Sequence, residues 1–119
     1  MSVLHGWRER PLTTIKPRGW LRSFLERQRD GLTGHLEVAG YPFDTEGWRR
    51  DTLPRGQGTL ASWWLFEQYG YWIDGMVRCG LLLDDAGLLR RARRQIDHVL
   101  AHPDRDGYLG PSLLKTLTT

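Results

Sequence analysis

The sequence predicts an all-α fold, because three stretches of this 119-residue chain carry apolar side chains at helical spacing. These stretches are residues 17–30, 59–83 and 85–102; a segment rich in glycine and proline separates the first two, and a short connection joins the last two. The central stretch holds three of the six tryptophans, two of the four tyrosines and the only cysteine. We therefore expect the other elements to pack around it.

Length and composition describe one small domain, or a piece of a larger one. Hydrophobic residues make up 39% and charged residues 26%, as in globular proteins. The net charge of +3 neither requires nor excludes an anionic partner. The sequence shows no secretion signal and no membrane-spanning apolar run, so we expect a cytoplasmic protein with no membrane partner.

Residues 1–16 are expected to form an extended arm, and the first helix follows at residues 17–30. Pro17 suits a first helical turn, and Gly31 suits a left-handed stop. The apolar face of this helix predicts that it packs on another element. That face consists of Trp20, Leu21, Phe24, Leu25 and Gln28.

Residues 32–58 are predicted to form a long loop, because glycines and prolines recur along them. A loop of this length inside a compact domain is usually functional. His35, Tyr41, Phe43 and Trp48 are unusual for a solvated linker. They suggest a loop laid over one end of a helical bundle.

The central helix is predicted to carry two stripes of side chains. The packed stripe contains Leu60, Trp64, Ile73, Met76, Val77 and Gly80. The second contains Trp63, Glu67, Tyr71, Asp74 and Arg78. Carboxylates between aromatic rings suit a sugar-binding cleft, where ring faces cover C–H groups and carboxylates accept hydroxyl hydrogen bonds. The alternative is an interior helix whose two acids are paired or hydrogen-bonded.

The third helix is expected to begin at a cap formed by Asp84 or Asp85 and to end near His102. Its apolar stripe is Leu88, Leu89, Ala92, Ile96, Val99 and Leu100. Its arginines, Arg90, Arg91, Arg93 and Arg94, should fill the solvated face, with Asp97 in reach of the last two. No aromatic residues interleave with these arginines, so we expect no nucleic-acid partner.

Metal ligation is not expected in this chain. His98 and His102 could share a helix face, but no third ligand lies nearby in the sequence. Cys79 is expected to be a small buried hydrophobe within the apolar central helix. Asp106-Gly107 is the strongest turn signal of the segment that follows the third helix.

Four segments together carry a resemblance to a known family. They are IKPRGWLRSFLERQRDGLTGHLE, WWLFEQYGYWIDGMVRCGLLLDD, LLRRARRQIDHVL and DGYLGP. The most specific are the run Trp-x-x-Glu-Gln-x-Gly-Tyr-Trp-x-Asp-Gly and the DGYLGP loop. In order and spacing, residues 15–111 resemble the start of glycoside hydrolase family 127, the β-L-arabinofuranosidase-like proteins.

The resemblance implies an alpha-alpha barrel of six helical hairpins, of which residues 17–119 would form the incomplete N-terminal part. It implies hydrolysis of glycosidic bonds with retention, through a cysteine nucleophile held by zinc with glutamates nearby. Those parts of family members lie beyond residue 119, and Cys79 does not match that cysteine. We therefore expect this chain alone to be inactive, with no catalytic residue and no cofactor of its own.

The partner that the resemblance implies is a carbohydrate, bound in the complete enzyme. Seven residues are the candidates for contact with it: His35, Trp48, Glu67, Gln68, Tyr71, Trp72 and Asp74. The alternative function is a small helical interaction domain that docks a partner through its aromatic surface. Exposure of the aromatic central helix would also predict self-association.

Overall fold

The computed structural model describes residues 9–44, 46–47 and 64–110, without the side chains of residues 64 and 65. Helices and turns account for the regular structure of this part, and no strand occurs in it. The predicted all-α class is therefore confirmed. Predictions for Trp48, Leu60 and Trp63, and for the side chain of Trp64, lie outside the described residues.

The helical elements follow one another along the chain with bounds close to those expected for the long helices. In order they are a 3-10 turn at Leu12–Thr14, α1 at Gly19–Asp30, α2 at Leu32–His35, a 3-10 helix at Leu36–Ala39, α3 at Trp64–Leu83 and α4 at Ala86–Ala101. Helices α3 and α4 pack together most extensively, and α1 and α2 pack on α3.

The connection between α3 and α4 consists of two aspartates. Asp84 adopts a left-handed conformation with φ 56°, and the Asp85 N–H donates to the Gly80 carbonyl at 2.8 Å. This is the hydrogen bond that closes a helix C-terminus in a Schellman motif. The Asp85 side chain then accepts from the Leu88 N–H at 3.0 Å, which confirms the predicted N-cap of the last helix. Asp85 thus donates the closing hydrogen bond of α3 and caps the start of α4.

The core lies where α3 meets α4. Its buried members are Tyr69, Trp72, Ile73, Met76, Cys79, Leu83, Leu88 and Ala92. Ile73 and Met76 confirm the predicted packed stripe of the central helix. Gly80 is also buried, and a Cβ there would lie 2.9 Å from the Leu89 side chain. The missing side chain therefore lets the two helices approach closely.

Helix α1 begins at Gly19, two residues after the proline expected to open it, and it ends at Asp30 as predicted. The predicted left-handed conformation of Gly31 is wrong, because its φ is −106°. Glycine is required there for another reason: a Cβ would lie only 2.8 Å from the Arg27 carbonyl oxygen. The tight turn allows α2 to fold back against α1.

Residues 32–39 are helical, so the prediction of a loop from residue 32 onward is wrong for its first eight positions. Tertiary contacts override the breaking effect of the local glycines. The Trp72 indole N–H donates to the Thr33 carbonyl at 2.9 Å. The Arg91 guanidinium donates to the Gly34 carbonyl and to the Glu37 carboxylate.

Helix α4 departs from its predicted faces at Arg91 and Leu100, and it buries Gln95, which was assigned to neither face. Arg91 is half-buried by its contacts with α2 and the 3-10 helix, so its assignment to the solvated face is wrong. Leu100 is 58% exposed despite its place in the predicted apolar stripe, whereas Gln95 is buried. The predicted pair of Arg93 and Asp97 is confirmed, with 3.3 Å between Nε and Oδ2.

No helix in the described ranges is both long enough and apolar enough to cross a bilayer.

Replacing Gly34 by alanine should destabilise the fold. A Cβ at this buried position would overlap the main-chain carbonyl of Arg29, which moves only if α1 moves. Such overpacking costs about 1–3 kcal/mol, measured as the free energy of unfolding in urea. The matched control is Gly70→Ala inside α3, where an added Cβ meets no heavy atom within 4 Å. This control should gain about 0.5–1 kcal/mol. Equal unfolding free energies for the two variants would contradict the packing described.

Candidate functional site

A pocket of about 280 Å³ opens between residues 41–44 and 46–47, α3 and α4. Its floor is apolar and consists of Phe43, Trp72 and Met76. The rings of Phe43 and Trp72 meet edge to face with centroids 5.7 Å apart, an arrangement that aromatic pairs prefer. The Trp72 indole N–H is held by the Thr33 carbonyl. The floor is therefore held in place from two sides.

The rim of the pocket is polar. It consists of Glu37, Asp44, Glu46, Arg91, Arg94 and Gln95. Carboxylates only accept hydrogen bonds when ionised and guanidinium groups only donate them, so the rim offers both kinds of partner. An apolar floor with a few convergent polar groups is the usual composition of a small-molecule site.

Gln95 fixes one side of the pocket. Its Oε1 accepts hydrogen bonds from the Gly47 N–H at 2.7 Å and from the Tyr69 hydroxyl at 2.8 Å, and the residue is 8% exposed. Because a backbone N–H can only donate, the atom facing Gly47 must be the amide oxygen. The amide NH₂ therefore occupies the other branch of a buried side chain that lines the pocket. It supplies hydrogen-bond donors in a fixed orientation.

Glu37 and Arg91 form a half-buried ion pair on the rim. The second carboxylate oxygen of Glu37, Oε2, is buried and has no hydrogen-bond partner among the described residues. Buried polar atoms usually have a partner in the protein or in a bound molecule. Glu37 Oε2 is thus a buried acceptor whose capacity is unused within the described part of the chain.

The loop side of the rim is linked to α4 through Glu46. Its carboxylate lies 3.5 Å from the His98 Nδ1, and the His98 ring stacks on His102 with centroids 4.3 Å apart. Asp44, two residues before Glu46 in the chain, is exposed. The Glu46–His98 contact and the Gln95 bond to Gly47 together hold residues 46–47 against α4.

The sequence-predicted site residues fall into separate groups. Trp72 lies in the pocket floor. Glu67, Gln68, Tyr71 and Asp74 lie elsewhere on α3, and His35 is exposed at the end of α2. Trp48 lies outside the described residues.

The second stripe of α3 faces solvent. Tyr71 is 61% exposed and its hydroxyl donates to the Glu67 carboxylate, which raises the pKa of Tyr71. Asp74 accepts from the Arg78 guanidinium at 2.7 Å. The interpretation of the two acids as interior groups is wrong, because Asp74 is exposed and Glu67 is only half-buried. Both carboxylates are nonetheless paired, as that interpretation required.

The polar side chains of the rim were not predicted from the sequence as site residues. Gln95 carries the clearest signal, because Leu88, Ala92, Gln95 and Val99 follow the spacing of one helix face and all four are buried. A polar side chain within such a stripe needs partners in the interior. Glu37, Asp44 and Glu46 lie in the segment predicted to be a loop, where periodicity gives no information on burial.

The zinc site that the family resemblance implies was expected outside this chain. Within them, no three His, Cys, Asp or Glu side chains lie close enough together to hold a metal ion. Cys79 is buried, and its thiol lies 3.5 Å from the Leu25 carbonyl. Burial raises the pKa of this thiol, so it remains protonated at neutral pH and is a poor nucleophile.

Comparison with known proteins gave no match of this chain to a family model, a curated protein or a solved structure.

Tyr69→Phe should reveal the pH dependence of the contact with Gln95. Near neutral pH, the loss of this buried hydrogen bond should lower the free energy of unfolding by about 1 kcal/mol. Burial raises the pKa of Tyr69 from 10.0 to about 12. Above pH 10 the unfolded tyrosine ionises while the folded one keeps its proton, so the stability that Tyr69 contributes falls as pH rises toward 12.

Urea unfolding of both proteins at about pH 8 and about pH 11 measures this effect. The difference between them should shrink at the higher pH, and the other tyrosines cancel because both proteins contain them. A difference that stays constant would show that the Tyr69 hydroxyl titrates normally.

Proposed function

We propose that this chain forms the sugar-binding N-terminal part of a glycoside hydrolase resembling family 127. Its contribution is to hold a sugar ring in the pocket between residues 41–44 and 46–47, α3 and α4. The observation that carries the proposal is the pocket itself, in which a fixed amide, three carboxylates and two guanidinium groups surround an aromatic floor.

The α3–α4 hairpin supports the proposed architecture. The two helices are joined by only two residues and share most of the core, as a hairpin of an alpha-alpha barrel would. Helix α1 packs on the side of α3 through the half-buried Leu25. In the proposed barrel, this hairpin forms part of the wall, and residues 41–44 and 46–47 lie at its sugar-binding end.

The chemistry of the pocket suits a sugar more than an apolar ligand. A sugar ring presents apolar C–H groups on its faces and hydroxyl groups around its edge. Phe43 and Trp72 would cover the C–H groups, while the Gln95 amide and the Arg94 guanidinium would donate to hydroxyl oxygens. Asp44 and Glu46 would accept from hydroxyl hydrogens. The volume of about 280 Å³ lies just below the usual range of ligand pockets, which suits a single sugar ring better than a larger ligand.

The proposed role is binding and orientation. The family resemblance assigns bond cleavage to a zinc-held cysteine and to glutamates that this chain does not contain, and Cys79 is a buried, protonated thiol. The pentofuranoside substrate class and the hydrolytic reaction follow from the resemblance. The pocket supplies the contacts that would fix the sugar's position.

The test is a titration of the chain with methyl β-L-arabinofuranoside, followed by chemical-shift changes in the NMR spectrum. Arg94→Gln removes a charged donor from the rim and should raise the Kd about tenfold or more, as expected for loss of a charged hydrogen bond. The matched control is Arg90→Gln, one turn earlier on α4 and not part of the pocket lining. Its Kd should stay within about twofold of the unmodified chain.

Asp74→Asn separates the pocket from the solvent-facing stripe of α3. The Asp74–Arg78 pair is exposed on both sides, so its loss should leave the urea midpoint nearly unchanged. It should also leave sugar affinity unchanged. Weaker sugar binding by Asp74→Asn, together with normal binding by Arg94→Gln, would place the sugar site on the solvent-facing stripe. The proposal would be overturned if saturating sugar caused no chemical-shift changes.

A further inference from the structure

Helix α1 carries an exposed apolar surface that no described residue covers. Trp20 is 79% exposed, Phe24 43% and Leu21 39%. The opposite side of the helix packs on the core through Leu25 and on α2. On the central helix, where exposed aromatics were expected, Tyr69 and Trp72 are buried and Tyr71 is exposed. Among the described residues, α1 is the helix that carries two exposed aromatic side chains, Trp20 and Phe24.

The exposed residues form a short row along the helix. Trp20 and Phe24 are one turn apart and so are neighbours on one side. Arg27 follows Phe24 by three residues, lies on the same side, is exposed, and has no ion-pair or hydrogen-bond partner among the described residues. Along α1, the row therefore consists of Trp20, Phe24 and Arg27 in that order.

The rows of two copies of α1 complement each other when the two helices run antiparallel. In an antiparallel pair of α1 helices with a two-fold axis beside Phe24, Trp20 of each copy lies over Arg27 of the other. A guanidinium over an indole face is an attractive contact, and tryptophan is its best aromatic partner. A two-fold interface requires such reciprocal contacts. We propose that α1 is the interface of a homodimer, formed by Trp20, Phe24 and Arg27 of two copies of this chain.

The charges on α1 favour a second copy over an anionic lipid surface. Arg22 pairs with Glu26 at 2.9 Å and Arg29 pairs with Asp30 at 2.7 Å, so these two arginines are already neutralised. Only Arg18 and Arg27 on this helix lack a partner among the described residues. Recognition of anionic lipid usually needs clusters of about 4–8 basic groups.

The size of the surface predicts a weak dimer. An aromatic side chain buries about 150–250 Å² when fully covered, and the interface would contain two tryptophans and two phenylalanines. Since these side chains are already partly covered, their total is below the roughly 1,200–2,000 Å² of a stable interface. Dimerisation should therefore depend on concentration.

Sedimentation equilibrium from about 10 µM to about 1 mM tests this inference, because a small interface gives affinities in this range. The average mass should rise toward twice that of the monomer. Phe24→Glu should remain monomeric throughout. The matched control is Val38→Glu, which introduces the same charge at a side chain that is 83% exposed on the 3-10 helix, and it should dimerise normally.

A second pair of variants tests the reciprocal arginine contact rather than apolarity alone. Arg27→Gln should weaken dimerisation about fivefold, whereas Arg27→Lys should weaken it less because it keeps the cation. Arg22→Gln, on the other side of α1, should have no effect.

Three outcomes would overturn the proposal. They are a monomer at every concentration, a Phe24→Glu variant that still dimerises, or a monomeric chain that binds vesicles of phosphatidylglycerol through Trp20 and Phe24. The last outcome would identify the surface as a membrane contact. Sugar binding by the pocket is independent of all three, because none of the dimer variants lines it.

Discussion

The buried amide of Gln95 is the interaction on which the arrangement of this fold most depends. One oxygen joins α4 to α3 through Tyr69 and to residues 46–47 through Gly47. A buried amide oxygen that lost both donors would destabilise the fold, because water could not replace them. Gln95 also lines the pocket. One side chain therefore holds Gly47 in place and contributes to the pocket wall.

The helix pair could be predicted from sequence because its signals are local. Asp85 caps α4 directly, and the stripe through Leu88, Ala92 and Val99 follows helical spacing. Segment 32–39 could not be predicted, because its helical turns depend on Arg91 and Trp72, which lie far along the chain. Glycines that appear as breakers in sequence are sites of close packing in the fold, and periodicity cannot distinguish these cases.

Helix α3 divides the molecule into two chemical environments. One side carries Trp72 into the pocket floor, where its ring packs edge to face on Phe43. The other carries Tyr71 and Asp74 in pairs with side chains one turn away, open to water. Sequence analysis identified both stripes and assigned the sugar mainly to the second. Spacing defines the two sides of a helix, but only the tertiary structure shows which side borders a cavity.

Residues near the start of this chain form contacts with residues that are synthesised much later. Gly34 precedes Arg91 by 57 residues, and Gly47 precedes Gln95 by 48. At about 5–20 residues per second, α1 and α2 would leave the ribosome several seconds before their partners on α4 exist. During that interval Leu25, the α1 residue that packs against the core in the folded chain, has no core beside it. The nascent N-terminal half is therefore a candidate for chaperone capture until α3 and α4 emerge.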